Sequence, residues 1–312
     1  MINKNSKIFL AGHNGMLGSA ILRILKKKGY KKIITVDKKR LDLRNQDLVK
    51  KFFKVKKPDA VIIAAAKVGG IKANMDFPAD FITDNLQIQT NLILNSYNNK
   101  IKKLILFGSS CIYPKDLNKP IKEKQIMTGV LEKTNESYAV AKIAAIQMIK
   151  SFNEQYNTKY ICLMPCNLFG PNDSYDLNNS HFIPALIKKI HIASKKKKNK
   201  IVKLWGTGKP LREVLYVDEV AEACEYFLRS KKNPYLINIG SSVEMSIKDY
   251  ANKIKNKIDQ SVLIKFNNNK KLDGVKRKKL DITLANQNGW RAKMNFSKVL
   301  NKTIEDYKNS HK

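Results

Sequence analysis

The sequence predicts an α/β fold, a doubly wound parallel sheet followed by a smaller C-terminal α/β domain, and three observations predict it. Short apolar runs alternate with segments of helical period from the N-terminus to Gly170, the pattern of repeated βαβ units. A glycine-rich run, Gly12 to Gly18, falls between the first apolar run and the first helical segment. With 312 residues, of which 43% are hydrophobic, the chain can bury a substantial core.

Strands are expected at Lys7–Ala11, Lys32–Val36, Ala60–Ala65, Lys103–Gly108 and Tyr160–Met164, and helices at Met16–Lys27, Gln46–Phe53, Ala79–Asn98 and Ser137–Tyr156. Residues 1–170 therefore read as a dinucleotide-binding domain of Rossmann type. After Pro171 the pattern becomes irregular. Asn172–Ser180 has the composition of a loop, and Phe182–Ser194 reads as a helix. Short strands follow at Lys200–Trp205, Glu213–Val217 and Leu236–Ile239, with helices at Asp218–Ser230, Ser246–Lys257 and Ser297–Lys308. This predicts a second, substrate-holding domain from 171–212 and about 242–312, with the segment 213–241 returning to the first sheet.

No stretch reaches the roughly 18–20 apolar residues that span a bilayer, and the polar N-terminus lacks a signal-peptide core, so a cytoplasmic protein without a membrane partner is expected. Cys111, Cys162, Cys166 and Cys224 show no disulfide-framework spacing, which agrees with a reducing compartment, and no matched set of metal ligands is present. The formal net charge of +34 invites a polyanion reading. The lysines are spread along the whole chain, however, without the interleaved aromatics of a stacking platform, so no nucleic-acid partner is expected.

Gly12-His13-Asn14-Gly15-Met16-Leu17-Gly18 is spaced G-x-x-G-x-x-G and opens the first helix. Glycines there let the backbone approach a pyrophosphate, whose charge the helix N-terminus favours. The second strand ends at Val36-Asp37-Lys38. An acid at that place bonds ribose hydroxyls of NAD, whereas neighbouring cations favour the 2′-phosphate of NADP. Asp37 and Lys38 pull in opposite directions, so both NADP(H) and NAD(H) stay open.

Tyr138 and Lys142 lie four apart at the start of a long helix and so share one face. The lysine is expected to lower the phenol pKa, letting the tyrosine give a proton to a carbonyl oxygen as hydride reaches the carbon. Ser109 follows the strand Lys103–Gly108 at its C-terminal end, where ligands of open α/β sheets bind. Two residues on stands Cys111, and His181 opens the second domain; a thiol lowered by its neighbours and an imidazole would form a base–acid pair across the cleft.

With these residues in hand, the chain resembles the GDP-L-fucose synthases, bifunctional epimerase-reductases among the extended short-chain dehydrogenases. The resemblance is carried by Ala11–Ala20, Ala64–Ile71, Gly108-Ser109-Ser110-Cys111-Ile112-Tyr113-Pro114, Tyr138–Lys142, Met164–Pro171, Asn179-Ser180-His181-Phe182 and Trp205–Glu213. It implies conversion of GDP-4-dehydro-6-deoxy-D-mannose to GDP-L-fucose by 3,5-epimerisation and NAD(P)H-dependent 4-keto reduction. Ser109, Tyr138 and Lys142 would serve reduction, Cys111 and His181 epimerisation. Gly12 to Gly18, Asp37, Lys38, Phe107, Gly108, Lys142, Pro165, Cys166, Asn167, Leu168 and His181 would meet the cofactor. Lys189, Trp205, Arg212, Asp273 and Lys278 would hold the GDP moiety. The resemblance also implies a homodimer built through the Ala79–Asn98 and Ser137–Tyr156 helices.

The chain departs from the family pattern at Asn14 and Lys38, where arginines would grip the 2′-phosphate, and at Cys166, where threonine is common. Two rivals stay open. Another nucleotide-sugar epimerase, dehydratase or reductase is one, although a dehydratase would place an Asp-Glu pair where Cys111 and Ile112 stand. A basic, non-catalytic RNA-binding protein is the other, and Tyr138 with Lys142 speaks against it.

Overall fold

The computed structural model describes residues 2–115, 117, 119–177 and 180–311. Asn179 of the Asn-Ser-His motif lies outside the described residues. In chain order the elements are β1 (Ile8–Ala11), α1 (Met16–Lys27), β2 (Ile33–Ile34), α2 (Gln46–Lys56), β3 (Ala60–Ile63), α3 (Ile71–Asp76), α4 (Pro78–Asn98), β4 (Lys103–Phe107), α5 (Glu136–Tyr156), β5 (Ile161–Pro165) and β6 (Asn167–Phe169). They continue as α6 (Phe182–Ser194), β7 (Ile201–Leu204), β8 (Leu211–Tyr216), α7 (Val217–Arg229), β9 (Leu236–Ile239), β10 (Glu244–Ser246), α8 (Ile247–Ile258), β11 (Leu263–Phe266), β12 (Arg277–Lys278), α9 (Thr283–Gln287) and α10 (Phe296–Ser310).

Six parallel strands in the order β2-β1-β3-β4-β5-β9 form the main sheet. Its inner strands β1, β3, β4 and β5 are buried at every position, which is why they read as continuous apolar runs. Helices α2, α4 and α5 pack together on one face, while α1 and α7 pack together on the other. This is the doubly wound, Rossmann-like arrangement that the alternation of runs predicts. No helix among the described residues is long and apolar enough to cross a membrane.

A second core gathers Phe169, Ile183, Ile187, Val214, Tyr250, Ile254, Leu300 and Ile304 around a small sheet. There β8 pairs with β10 antiparallel and with β12 and β6 parallel, while β7 and β11 form a separate parallel pair. The strand expected to return to the first sheet at Glu213 therefore does not do so. β8 stays in the second sheet, and α7 and β9 make the return. The chain crosses once more near its end, because Leu280, Ala285 and Trp290 are buried in the first core. A short strand such as β8 carries no mark of its partner when both candidate sheets offer an apolar face.

Candidate active site

A cavity of about 660 Å³ opens at the C-terminal ends of the main strands, lined by residues that directly follow β1, β3 and β4 and by the end of β5. This is the place where open α/β sheets bind ligands. Gly12 to Leu17, Lys38, Phe107 to Ser110, Tyr138, Pro165 to Leu168 and His181 line it. Gly18, Asp37, Cys111 and Lys142 stand behind or beside this lining.

The glycine loop shows why each glycine is there. Gly12 has φ +87°, and a Cβ on it would lie 2.5 Å from the Ala65 backbone nitrogen, so the turn must pass close against the end of β3. A Cβ on Gly18 would collide with the Gly12 carbonyl, so this glycine seats α1 on the turn. Gly15 differs. Its added Cβ would meet only the Gly12 oxygen, at an ordinary 3.6 Å, so the protein's own packing does not require glycine there. The space it leaves open faces the start of α1, which no side chain caps and whose first turn holds no acid. Backbone N–H groups at an uncapped helix start, approached over a glycine, fit a diphosphate.

At the outer end of the loop, Asn14 Nδ2 donates to Asp37 Oδ1 at 2.8 Å, and His13 Nε2 lies 3.5 Å from the same oxygen. The amide thus fixes an exposed carboxylate at the cavity rim, beside Lys38. Leu41 to Arg44 also line the cavity, and sequence reasoning missed them. Arg44 bonds Asp42 at 2.7 Å and Asp84 at 3.0 Å, holding the Asp42 carboxyl down at about 2. Only the proximity of an Asp-x-Arg triplet to the second strand could have signalled this pairing.

Tyr138 and Lys142 stand on α5 as expected, with the Lys142 ammonium 5.7 Å from the Tyr138 ring centroid. Lys142 is 2% exposed and donates to the Phe107 carbonyl at 3.0 Å, which ties α5 to the end of β4. Burial pushes its pKa down to about 8. The Tyr138 phenol departs from the expectation: burial, reinforced by Cys111 and Cys162, drives its pKa well up. Desolvation is the largest cause of that rise. The phenol is therefore held protonated, the form a proton donor needs. The ammonium, by contrast, loses its proton as pH rises through about 8, so kcat/KM for reduction is expected to fall over that range. A pH profile that stays flat to pH 10 would contradict this assignment.

Ser109 ends the β4 segment, and Ser110–Ile112 forms a single 3₁₀ turn. The Cys111 thiol stands two residues from Ser109 on this turn and feels its hydroxyl, so the two predicted halves of the site are adjacent. Its pKa is raised, contrary to the expected lowering, because Cys111 is 5% exposed and burial outweighs the pull of Lys278, Ser109 and Lys142. His181 is the N-cap residue of α6, and it lines the cavity from the second core's side. Desolvation by the cleft walls lowers its pKa, so the imidazole is neutral at pH 7 in the free protein.

The five residues assigned to GDP lie outside this lining. Trp205 is 78% exposed, with the Lys189 ammonium 5.8 Å from its ring centroid. Asp273 accepts from the Thr207 N–H at 2.6 Å and hydroxyl at 2.8 Å, and Gly206, at φ +75°, packs against it without room for a Cβ. Arg212 donates to the Leu211 and Val275 carbonyls at 2.9 and 2.7 Å and feels the Asp273 charge. Lys278 pairs in register with Arg212 across β12 and β8, and its ammonium acts on the Cys111 thiol. It therefore stands between the indole–arginine group and the 3₁₀ turn.

Comparison with known proteins agrees with this geometry. Residues 8–240 match the NAD dependent epimerase/dehydratase family. The chain is 43% identical over 307 residues to GDP-L-fucose synthase 1 of Arabidopsis thaliana, covering 98% of this chain and 94% of the relative. Among solved structures, a GDP-6-OMe-4-keto-L-xylo-heptose reductase from Campylobacter jejuni superposes with TM-score 0.92 at 33% identity, over 99% of each chain. A GDP-L-fucose synthetase from Naegleria fowleri bound to NADP gives TM-score 0.91 at 28% identity, over 100% of this chain and 95% of the other. On these grounds the chain belongs to the NAD dependent epimerase/dehydratase family and, within it, to the GDP-L-fucose synthases.

Proposed function

We propose that this protein converts GDP-4-dehydro-6-deoxy-D-mannose to GDP-L-fucose, inverting C3 and C5 and then reducing the 4-keto group with NADPH. One observation carries the reading: the Cys111 thiol feels Ser109, Lys142 and Lys278, and Ser109 lines one cavity with Tyr138 and His181.

The sugar's 4-keto group acidifies the hydrogens on C3 and C5. Ser109 and Tyr138 hydroxyls hold the keto oxygen and stabilise the charge that develops there when a proton leaves. Cys111, once its thiol proton has passed to solvent, takes the proton from one face, and His181, once protonated from solvent, returns one from the other; exchange with water resets both. The substrate's negative charge raises the imidazole's proton affinity, opposing the desolvation that keeps it neutral in the free protein. Lys278 stabilises the thiolate while it exists. For reduction, the same two hydroxyls polarise the same carbonyl, Tyr138 gives its proton to O4, and Lys142 steadies the phenolate left behind.

Bound NADPH supplies the hydride at C4. The loop from Gly12 to Gly18 would hold its diphosphate, Asp37 and Lys38 its adenosine ribose, and Phe107, Gly108, Lys142, Pro165 to Leu168 and His181 its nicotinamide end. Trp205 would stack on guanine, and Lys189, Arg212 and Asp273 would hold the rest of the GDP moiety. The nucleotide unit would comprise the main sheet through β5 with α7, β9 and the stretch from Leu280 to Trp290, and the substrate unit the second core around β8. A homodimer would form through α4 and α5, in the cytoplasm.

Incubation with the 4-keto sugar and NADPH, followed by identification of the product sugar, tests the reading. GDP-L-fucose is the expected product, and reduced but un-inverted sugar alone would refute it. Cofactor choice gives a separate test. With Asn14 fixing the Asp37 carboxylate at the rim, NADPH should be favoured over NADH only weakly. Asp37→Ala is expected to shift the ratio of kcat/KM values towards NADPH on the order of tenfold, equivalent to about 1.4 kcal/mol. An unchanged ratio would remove Asp37 from cofactor selection.

A further inference from the structure

Behind the thiol sits a fully buried amide that does not reach the cavity. Tyr113 closes the 3₁₀ turn of Cys111, is 2% exposed, and donates its hydroxyl to Asn238 Oδ1 at 2.7 Å. Asn238, on β9, is 0% exposed. Its Nδ2 donates to the Ile121 carbonyl at 2.8 Å and the Asp281 carbonyl at 3.2 Å. The same two segments are stitched together by Ile121 N–H to the Lys279 carbonyl at 2.9 Å and Asp281 N–H to the Ile121 carbonyl at 2.8 Å. Glu213, itself 0% exposed, holds Leu280 N–H at 2.8 Å. Lys278 projects from the strand so fixed.

We propose that Asn238 is a positioning residue for epimerisation: through Tyr113 it sets the place of Cys111, and through the Ile121 and Asp281 carbonyls the place of Lys278 beside it. The inference rests on the epimerase-reductase reading above. Reduction does not depend on this anchor to the same degree. Ser109 continues directly from β4, which is paired on both sides, and Lys142 is tied to the β4 end through the Phe107 carbonyl. Cys111 lies two residues nearer to Tyr113, at the middle of a turn with one backbone hydrogen bond at 3.2 Å and another at 3.5 Å. When the Tyr113 end is released, the thiol moves more than the serine does.

An amide that merely glues the core would, when removed, weaken both reactions in step. The decisive readout is therefore their ratio. Tyr113→Phe deletes one hydroxyl and leaves the other two Asn238 bonds in place. Asn238→Leu deletes all three. With GDP-4-dehydro-6-deoxy-D-mannose in D₂O, deuterium uptake at C3 and C5 should fall on the order of tenfold in Tyr113→Phe, since small misplacements of a reacting group have effects of that size or larger. With NADPH present, the ratio of un-inverted 6-deoxy sugar to GDP-L-fucose should rise by a similar factor, while NADPH affinity stays within about twofold. Adding Tyr113→Phe to Cys111→Ser should cause no further loss of exchange. If Asn238→Leu does not fold, the tyrosine variant carries the test alone. An unchanged product ratio in Tyr113→Phe, with normal exchange by the native protein, overturns the anchor. Absence of exchange in the native protein overturns the epimerase reading and this inference together.

Discussion

Cys111→Ser is expected to reduce solvent deuterium uptake at C3 and C5 of the keto sugar to below about one hundredth, the loss typical of a positioned proton acceptor. Serine nearly keeps the volume of the buried thiol, so the turn should persist. It has no group that ionises in the range open to a thiol. Cofactor binding should be untouched, because Cys111 is outside the cavity lining. Reduction should then outrun inversion and yield a 6-deoxy sugar other than fucose. NMR of the product formed in D₂O reads both effects at once. Normal deuterium uptake with normal GDP-L-fucose output would eliminate the proposed base.

Tyr138→Phe should lower NADPH oxidation by the keto sugar by at least about a hundredfold, while deuterium exchange at C3 and C5 survives better. The ring stays in place, since its edge contact with Phe81 at 6.4 Å does not involve the hydroxyl. What disappears is the proton donor, whose pKa burial drives up. A variant that reduces the ketone at the native rate would exclude Tyr138 from the mechanism. The two substitutions should thus separate the paired reactions in opposite senses, which damage to folding does not do.

How far the sequence could be read depended on the range of the interaction that decides each feature. Strands buried on both faces, such as Val61 and Ile105 within β3 and β4, announce themselves locally. The glycine loop and the Tyr138–Lys142 spacing are likewise local. The destination of β8 was not legible, because it is decided by pairing with Asn167 and Arg277, residues far away in the chain. The pKa directions at Tyr138 and Cys111 were misread for a related reason. A motif reports which charges are adjacent, whereas the depth of burial that overrides them is a property of the finished core. Asn238 carried no local sign, since its partners Tyr113, Ile121 and Asp281 come from separate segments, and the Asp84 half of the Arg44 pairing was equally hidden.

The path of the chain between its two cores has a consequence for how the molecule can be cut, moved or melted. A fragment ending at Pro171 would lack β9, α7 and Trp290, and so would bare an edge of β5 and a face of α1. The remainder would have β8 without β6. Neither piece is a self-sufficient folding unit. Met294 packs against both cores, and the chain passes between them several times. Heat or denaturant should therefore melt the whole chain in one transition and not in two. Closing of the cleft over a nucleotide sugar would have to proceed by small sliding of packed elements, because no single hinge joins the halves.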